Sequence, residues 1–194
     1  AKRSESIWKL DFKSASGDFS ATAKTVVNAA GPFAKNVSDL FESPTKARLV
    51  FSKGVHFTIR RKLTQGDRVL AFWDEQNRLF YVLPMGDRSM IGTTDTRVDA
   101  PQTEANQDDI EFVLRQINAQ LELEKPITKD EIVSSRSGVR PLVIDASQAD
   151  NQDWHQLSRK HVIETNSQNA VISILGGKLT DCLNVGQEVL AELK

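Results

Sequence analysis

Residues Ala170-Val171-Ile172-Ser173-Ile174-Leu175-Gly176-Gly177-Lys178-Leu179-Thr180 decide how the rest of the chain is read. A short apolar, β-branched run meets two adjacent glycines. Beyond them Leu183, Val185, Val189, Leu190 and Leu193 recur at helical spacing up to residue 194. The reading is a buried strand, a tight turn and a helix. Paired glycines let the backbone turn sharply and let a ligand come close. A helix start presents free N–H groups and partial positive charge, which suits anions and polarised carbonyl oxygens. Lys178 adds a mobile cation at the same point. The spacing is not that of a Walker A loop, and a Gly-Gly turn serves structure alone about as often as it serves a ligand.

Upstream, Ile7-Trp8-Lys9-Leu10-Asp11-Phe12-Lys13 alternates with period two. Ala15-Ser16-Gly17-Asp18 is a turn signal and Phe19-Ser20-Ala21-Thr22-Ala23 resumes the alternation, which predicts a β-hairpin. Val26 and Val27 then run into Asn28-Ala29-Ala30-Gly31-Pro32. This is a buried strand entering a turn where something must approach the backbone. A helix is expected over 32–41, with Pro32 in its first turn. Residues 48–51, 55–60, 68–73, 78–83 and 89–93 are short apolar runs parted by polar or glycine-containing turns. Their spacing of about ten residues predicts an antiparallel meander.

The period changes over 106–121. Ile110, Val113, Leu114, Ile117 and Leu121 fall at helical spacing behind acidic and capping residues at 106–109. Residues 128–131 fit a capping box, although the extended run Ile132-Val133-Ser134-Ser135 follows soon after. Residues 139–144 are apolar around Arg140-Pro141, and 161–164 and 170–175 read as two further strands. The order specifies an α+β fold on a mainly antiparallel or mixed sheet flanked by helices.

Composition narrows the function classes. The chain has 194 residues with 39% hydrophobic and 26% charged side chains, ordinary values that exclude a disordered or low-complexity class. With 25 basic residues against 26 acidic ones it lacks the basic excess of a nucleic-acid partner. Its single cysteine, Cys182, excludes an intrachain disulfide and any multi-cysteine zinc site, so no metal is expected. No apolar run approaches the ~20 residues of a spanning helix.

Besides the glycine turn, a few residues could carry chemistry. Arg140 sits in an apolar run, where a guanidinium is costly without a partner. It either binds a carboxylate or phosphate ligand bidentately or pairs internally with an acid such as Asp145 or Asp95. His56, in Lys53-Gly54-Val55-His56-Phe57, is a proton acceptor by residue type, although a strand histidine is more often packing. Arg159 is a second anion contact or a solvated turn residue. Cys182 reads as packing, and 60–62 as a solvated hairpin end.

Five segments taken together resemble the flavin-dependent glycerol-3-phosphate dehydrogenases and oxidases. They are Val27-Asn28-Ala29-Ala30-Gly31-Pro32, Lys53-Gly54-Val55-His56, Ile91-Gly92-Thr93-Thr94-Asp95, Ser137-Gly138-Val139-Arg140-Pro141-Leu142 and Gly176-Gly177-Lys178-Leu179-Thr180. The wider group is the D-amino-acid-oxidase-like flavoproteins, which pair an FAD-binding domain with a β-sheet substrate domain. The resemblance implies that 1–46 belong to the FAD-binding domain, 47–144 to the substrate domain, and 145–194 to the chain's return to the FAD domain with a terminal helix. The N-terminal G-x-G-x-x-G unit of the family has no match here, so the chain is expected to be a fragment with little activity alone.

For the intact enzyme the resemblance implies FAD as cofactor and sn-glycerol 3-phosphate as substrate, oxidised to dihydroxyacetone phosphate by hydride transfer. Ala30, Gly31, Gly176, Gly177, Lys178, Leu179 and Thr180 would meet the cofactor. Arg140, Arg159 and Lys178 would hold substrate, and His56, Arg140 and Lys178 would serve catalysis. Quinone or another acceptor would take the electrons, with a cytoplasmic location, peripheral contact with the inner membrane and room for a homodimer. The alternatives are a related flavin oxidase with another substrate and a non-catalytic anion-binding module of the same fold. Many family members continue the glycine motif with Thr-Tyr-Arg. Here it continues Asp181-Cys182-Leu183-Asn184, so no role carries over beyond Thr180.

Overall fold

A computed structural model describes residues 1–144 and 160–193. In chain order the elements begin with β1 (Lys2–Ser4), β2 (Ile7–Phe12), β3 (Phe19–Ala23), β4 (Val26–Asn28) and α1 (Ala34–Asp39). There follow β5 (Arg48–Ile59), β6 (Leu70–Trp73), β7 (Leu79–Met85), β8 (Arg88–Gly92), β9 (Thr96–Val98) and α2 (Gln107–Gln120). The chain closes with β10 (Ile132–Ile144), β11 (His161–Asn166), β12 (Val171–Gly176) and α3 (Cys182–Glu192). The strands form three sheets, ordered β1-β2-β3, β10-β5-β8-β7-β6 with β9 pairing β5, and β11-β12-β4. The expected α+β class on antiparallel and mixed sheets is what the chain adopts.

The described residues divide into two compact units, Ala1–Phe51 with Arg140–Lys194, and Ser52–Val139. In the first, the predicted hairpin forms with Trp8 opposite Ala23 and Phe12 opposite Phe19. Trp8 is buried edge-on against Phe41, ring centroids 5.0 Å apart, and its indole N–H donates to the Asn169 carbonyl at 2.8 Å. That bond satisfies the one polar atom of a large apolar group, the usual condition for burying tryptophan. β4 and β12 run parallel, with Val26 opposite Val171 and Asn28 opposite Ser173.

In the second unit, Val55, Phe57 and Ile59 of β5 alternate onto one face of the sheet and pack with Phe80, Val82 and Ile91. Val113 and Ile117 of α2 and Ile127 close the other side of this core. Each fully buried Val, Ile or Phe there contributes roughly 1.5–3 kcal/mol of transfer free energy. α2 starts at a capping box: the Asn106 side chain accepts from the Asp109 N–H, and Asp109 Oδ2 accepts from the Asn106 N–H. The same Oδ2 receives the Lys53 ammonium at 2.6 Å, with both side chains about 95% buried.

Several elements differ from the sequence reading. Residues 48–51 and 55–60 are not two strands but one, the twelve-residue β5. Ser52-Lys53-Gly54 reads as an interruption, yet Asp109 neutralises Lys53 inside the fold and the strand runs on. The runs at 132–135 and 139–144 likewise join as β10, which takes Pro141 without loss because it is the outer strand of its sheet. The meander holds for β6, β7 and β8, whereas β5 pairs β8 rather than its sequence neighbour β6. β1 and β9 had no sequence signal. Arg61 is not simply solvated, since its guanidinium donates to both Glu131 oxygens, at 3.0 and 2.6 Å.

The buried pair gives a test. Asp109→Asn keeps an acceptor for the cap but strands the Lys53 charge, and should cost about 3–5 kcal/mol in urea unfolding. Adding Lys53→Met should recover most of that loss, because an unpaired charge is the main cost. Equal stability of the single and double variants would show that the pair is unimportant.

Candidate functional site

β4 and β12 are neighbours and point the same way, so their carboxyl ends open on one edge of the sheet. In open sheets with parallel strands, that edge is where ligands collect. At β4 the chain leaves Asn28 through Ala29 and Ala30 into a 3-10 turn, Gly31–Phe33, with Pro32 near its start. At β12 it leaves Gly176 through Gly177 and Lys178 into a second 3-10 turn, Leu179–Asp181, that feeds α3 directly. Two small-residue turns, each leading into a helix, therefore stand at adjacent strand ends.

A buried polar network fixes this arrangement. The Asn28 side-chain amide donates to the Ala34 carbonyl at 2.7 Å and to Ser38 Oγ at 2.9 Å. Its oxygen accepts from the Ala30 N–H at 3.2 Å. Ser38 Oγ and Ser173 Oγ lie 2.8 Å apart. Asn28, Ser38 and Ser173 are all buried, so β4, α1 and β12 are joined by polar groups that have no water to fall back on. In the sequence Asn28 reads only as part of a strand end. Its role is visible only once the parallel pairing is known.

Gly176 has φ +67°, in the left-handed region, and a Cβ there would lie 2.6 Å from Val143 Cγ2. The same hypothetical atom would lie 3.5 Å from the Pro141 carbonyl oxygen. A side chain at 176 would therefore collide with β10 at Val143, close in sequence to Arg140, which is half-buried. Lys178, Leu179 and Thr180 project into solvent, Leu179 with 90% of its surface exposed. Large apolar exposure next to a cation, on a turn between two glycines and a helix, suits a flat, partly polar ligand.

The structure thus brings Ala30, Gly31, Gly176, Gly177, Lys178, Leu179 and Thr180 to one sheet edge, with the backbone next to Arg140 against Gly176. His56 belongs to the second unit. It is half-buried on the face of β5 opposite to Phe57 and lies directly across from Gly92. A Cβ on Gly92 would come within 2.9 Å of His56 Cδ2 and 2.8 Å of the Val55 carbonyl oxygen, so the imidazole leans over bare backbone. Arg159 and Asp145 lie outside the described residues. Cys182, expected to pack, is an exposed free thiol. α3 turns Val189 inward but leaves Leu183 and Leu190 largely exposed, so its apolar stripe is not the core face its spacing suggests.

One cluster had no sequence signal. His161 is buried, with Nδ1 3.1 Å from Asp181 Oδ2 and Nε2 2.9 Å from Glu188 Oε2. The hydrogen bond from His161 holds the Glu188 carboxyl below the usual carboxylate range. Among the described residues no group of His, Cys, Asp and Glu could hold a metal ion.

The Gly176 geometry can be checked directly. Gly176→Ala should lose more than about 2 kcal/mol in urea unfolding, from left-handed strain plus the clash with Val143. Val143→Ala in the same chain should return only the clash. A neutral Gly176→Ala would mean that the turn has another shape.

Comparison with known proteins shows the family to which the chain belongs. The family model described as DAO, FAD dependent oxidoreductase, matches residues 1–180. A mitochondrial glycerol-3-phosphate dehydrogenase of Macaca fascicularis is 30% identical over 89% of this chain and 24% of its own length. Glycerol-3-phosphate dehydrogenase of Pseudomonas tolaasii is 31% identical over the whole chain and 38% of its own length. The structure of glycerol-3-phosphate dehydrogenase from Bacillus halodurans complexed with FAD superposes with a TM-score of 0.69 at 27% identity, covering 91% of this chain and 33% of that one. Glycine oxidase from Bacillus cereus shares the fold at TM-score 0.56 and 18% identity. The chain thus spans between a quarter and two-fifths of the length of these relatives. With residues 1–180 matched, the chain belongs to the DAO family of FAD dependent oxidoreductases.

Proposed function

We propose that this chain is the part of an FAD-dependent glycerol-3-phosphate dehydrogenase that meets both cofactor and substrate. The observation that carries the reading is the pair of small-residue turns at the adjacent carboxyl ends of β4 and β12. Bare backbone at Ala30, Gly31, Gly176 and Gly177, with Leu179 and Thr180 exposed beside them, fits the edge of a flat ring system. These residues would hold FAD, which supplies a two-electron acceptor when bound. The names and the FAD complex of the similar proteins support the same choice.

The chain's own share is orientation and charge. Lys178, Arg140 and Arg159 are assigned to the dianionic phosphate, which calls for several cations. Arg140 and Lys178 would also stabilise negative charge that develops on the substrate 2-oxygen as its proton leaves. His56 would accept that proton. An imidazole is suited to the task near neutral pH, and Gly92 keeps the ring's approach clear. The product of removing a hydride from C2 and a proton from the 2-hydroxyl of sn-glycerol 3-phosphate is dihydroxyacetone phosphate.

Residues 1–46 and 145–194 are assigned to the FAD-binding domain and 47–144 to the substrate domain. Quinone or another acceptor, peripheral contact with the cytoplasmic face of the inner membrane, and a homodimer complete the proposal for the whole enzyme. Among the described residues no helix is long and apolar enough to cross a membrane.

In the full-length protein that carries this chain, Arg140→Ala should lower kcat/KM for sn-glycerol 3-phosphate by about 100-fold or more, with flavin absorbance retained. Lys178→Met should act in the same direction. Near-normal turnover of Arg140→Ala would remove that residue from the site. A full-length protein that binds no flavin would overturn the function.

A further inference from the structure

The 181–184 segment departs from the usual continuation of the glycine motif, and the structure gives that departure a use. Asp181 closes the 3-10 turn Leu179–Asp181, and Glu188 lies in α3 within reach of the same ring. Both carboxylates reach the ring of His161, one at each nitrogen, at 3.1 and 2.9 Å. The ring is 2% exposed. A neutral imidazole has one N–H and one lone pair, so against two carboxylates it satisfies one and opposes the other. Only the imidazolium donates to both.

The position of the ring matters as much as its partners. His161 pairs directly with Gly176 across the β11–β12 ladder. A Cβ on Gly177 would lie 3.0 Å from His161 Cβ, so the histidine sits immediately beneath the glycine turn. The two acids fasten the segment just beyond that turn to β11, the strand that pairs with β12. Other charged groups nearby are Lys160, next in sequence, and Glu192, which accepts from Thr165 Oγ1 at 2.7 Å. Asn184 Nδ2 donates to the second Glu188 oxygen at 3.0 Å. β12 and the turn after it face the ring with Gly176 and Gly177, which carry no charge.

We propose that His161 is a positioning residue whose imidazolium, gripped by Asp181 and Glu188, holds the 176–180 turn in shape, so that the order of a cofactor-facing segment depends on one proton. The proposal rests on reading that turn as a flavin contact. The hydrogen bond from His161 is also the first cause of the lowered Glu188 carboxyl. That lowering sets the acid limit. A carboxylate whose folded value is lowered stabilises above its ordinary 4.5 and loses that contribution as pH falls through the lowered value. A ring with a single N–H can donate to only one of the two carboxylates, so the clasp needs both ring protons.

The test is amide hydrogen exchange on the 194-residue chain, corrected for intrinsic rates, from about pH 6 to about pH 9, across the ordinary histidine range. Amides of 177–182 should lose protection roughly tenfold with rising pH, relative to those of α2. His161→Gln, which cannot titrate, should be less protected at low pH and flat thereafter. Asp181→Asn is the milder second variant and should weaken the response if His161→Gln does not fold. Identical profiles for wild type and His161→Gln, or the same change throughout the chain, would overturn the proposal. FAD affinity of the full-length protein should follow the same profile. FAD affinity that ignores pH while exchange responds would overturn the link to the cofactor. Absence of FAD binding at any pH, with the exchange profile intact, would instead sink the functional reading and leave the clasp standing.

Discussion

The buried amide of Asn28 is the constraint on which the end of the sheet that carries the two small-residue turns depends. β4 is only three residues long and contributes little ladder of its own. Its three residue pairs with β12 are reinforced by a buried side chain whose amide nitrogen meets the Ala34 carbonyl, Ser38 Oγ and, at 3.4 Å, Ser173 Oγ of β12, and whose oxygen accepts from the Ala30 N–H. Such a network is worth much when complete and costs heavily when one member is lost, because the remaining groups stay desolvated. The glycine-rich turn of one strand and the Ala-Gly-Pro turn of the other keep their separation because of it.

The second unit relies on a different economy of contacts. One oxygen of Asp109 closes the capping box of α2 and neutralises Lys53 in the middle of β5. Helix and strand are thus joined at a single atom, three residues along the strand from His56. The apolar contacts of Val113 and Ile117 supply most of the attraction, and the ion pair fixes the register in which they meet. Gly92 and His56 lie on the other face of the same sheet, free of the demands of that core.

Local signals were legible and distant compensations were not. The strand, glycine turn and helix from 170 onward, the hairpin at 7–23 and the capped helix at 106–121 each declare themselves within one short continuous stretch of sequence. By contrast, β5 is unbroken only because Lys53 finds an acid 56 positions away. Asn28 becomes a structural centre only through Ser173, 145 positions away. The two turns could each be found by composition, yet nothing in either says that their strands are neighbours. Asp181 was readable only as a departure from a motif, since its partner at 161 comes from a strand whose pairing places it under the turn.

Cys182 acquires a practical meaning from its placement. It is the only cysteine, it is exposed, and it is the first residue of α3, directly after Asp181. A thiol-reactive fluorophore or spin label would therefore attach at one defined point without any engineered cysteine. That point moves with the start of the helix, so the unaltered chain already carries an optical or magnetic gauge for the segment between Gly177 and α3.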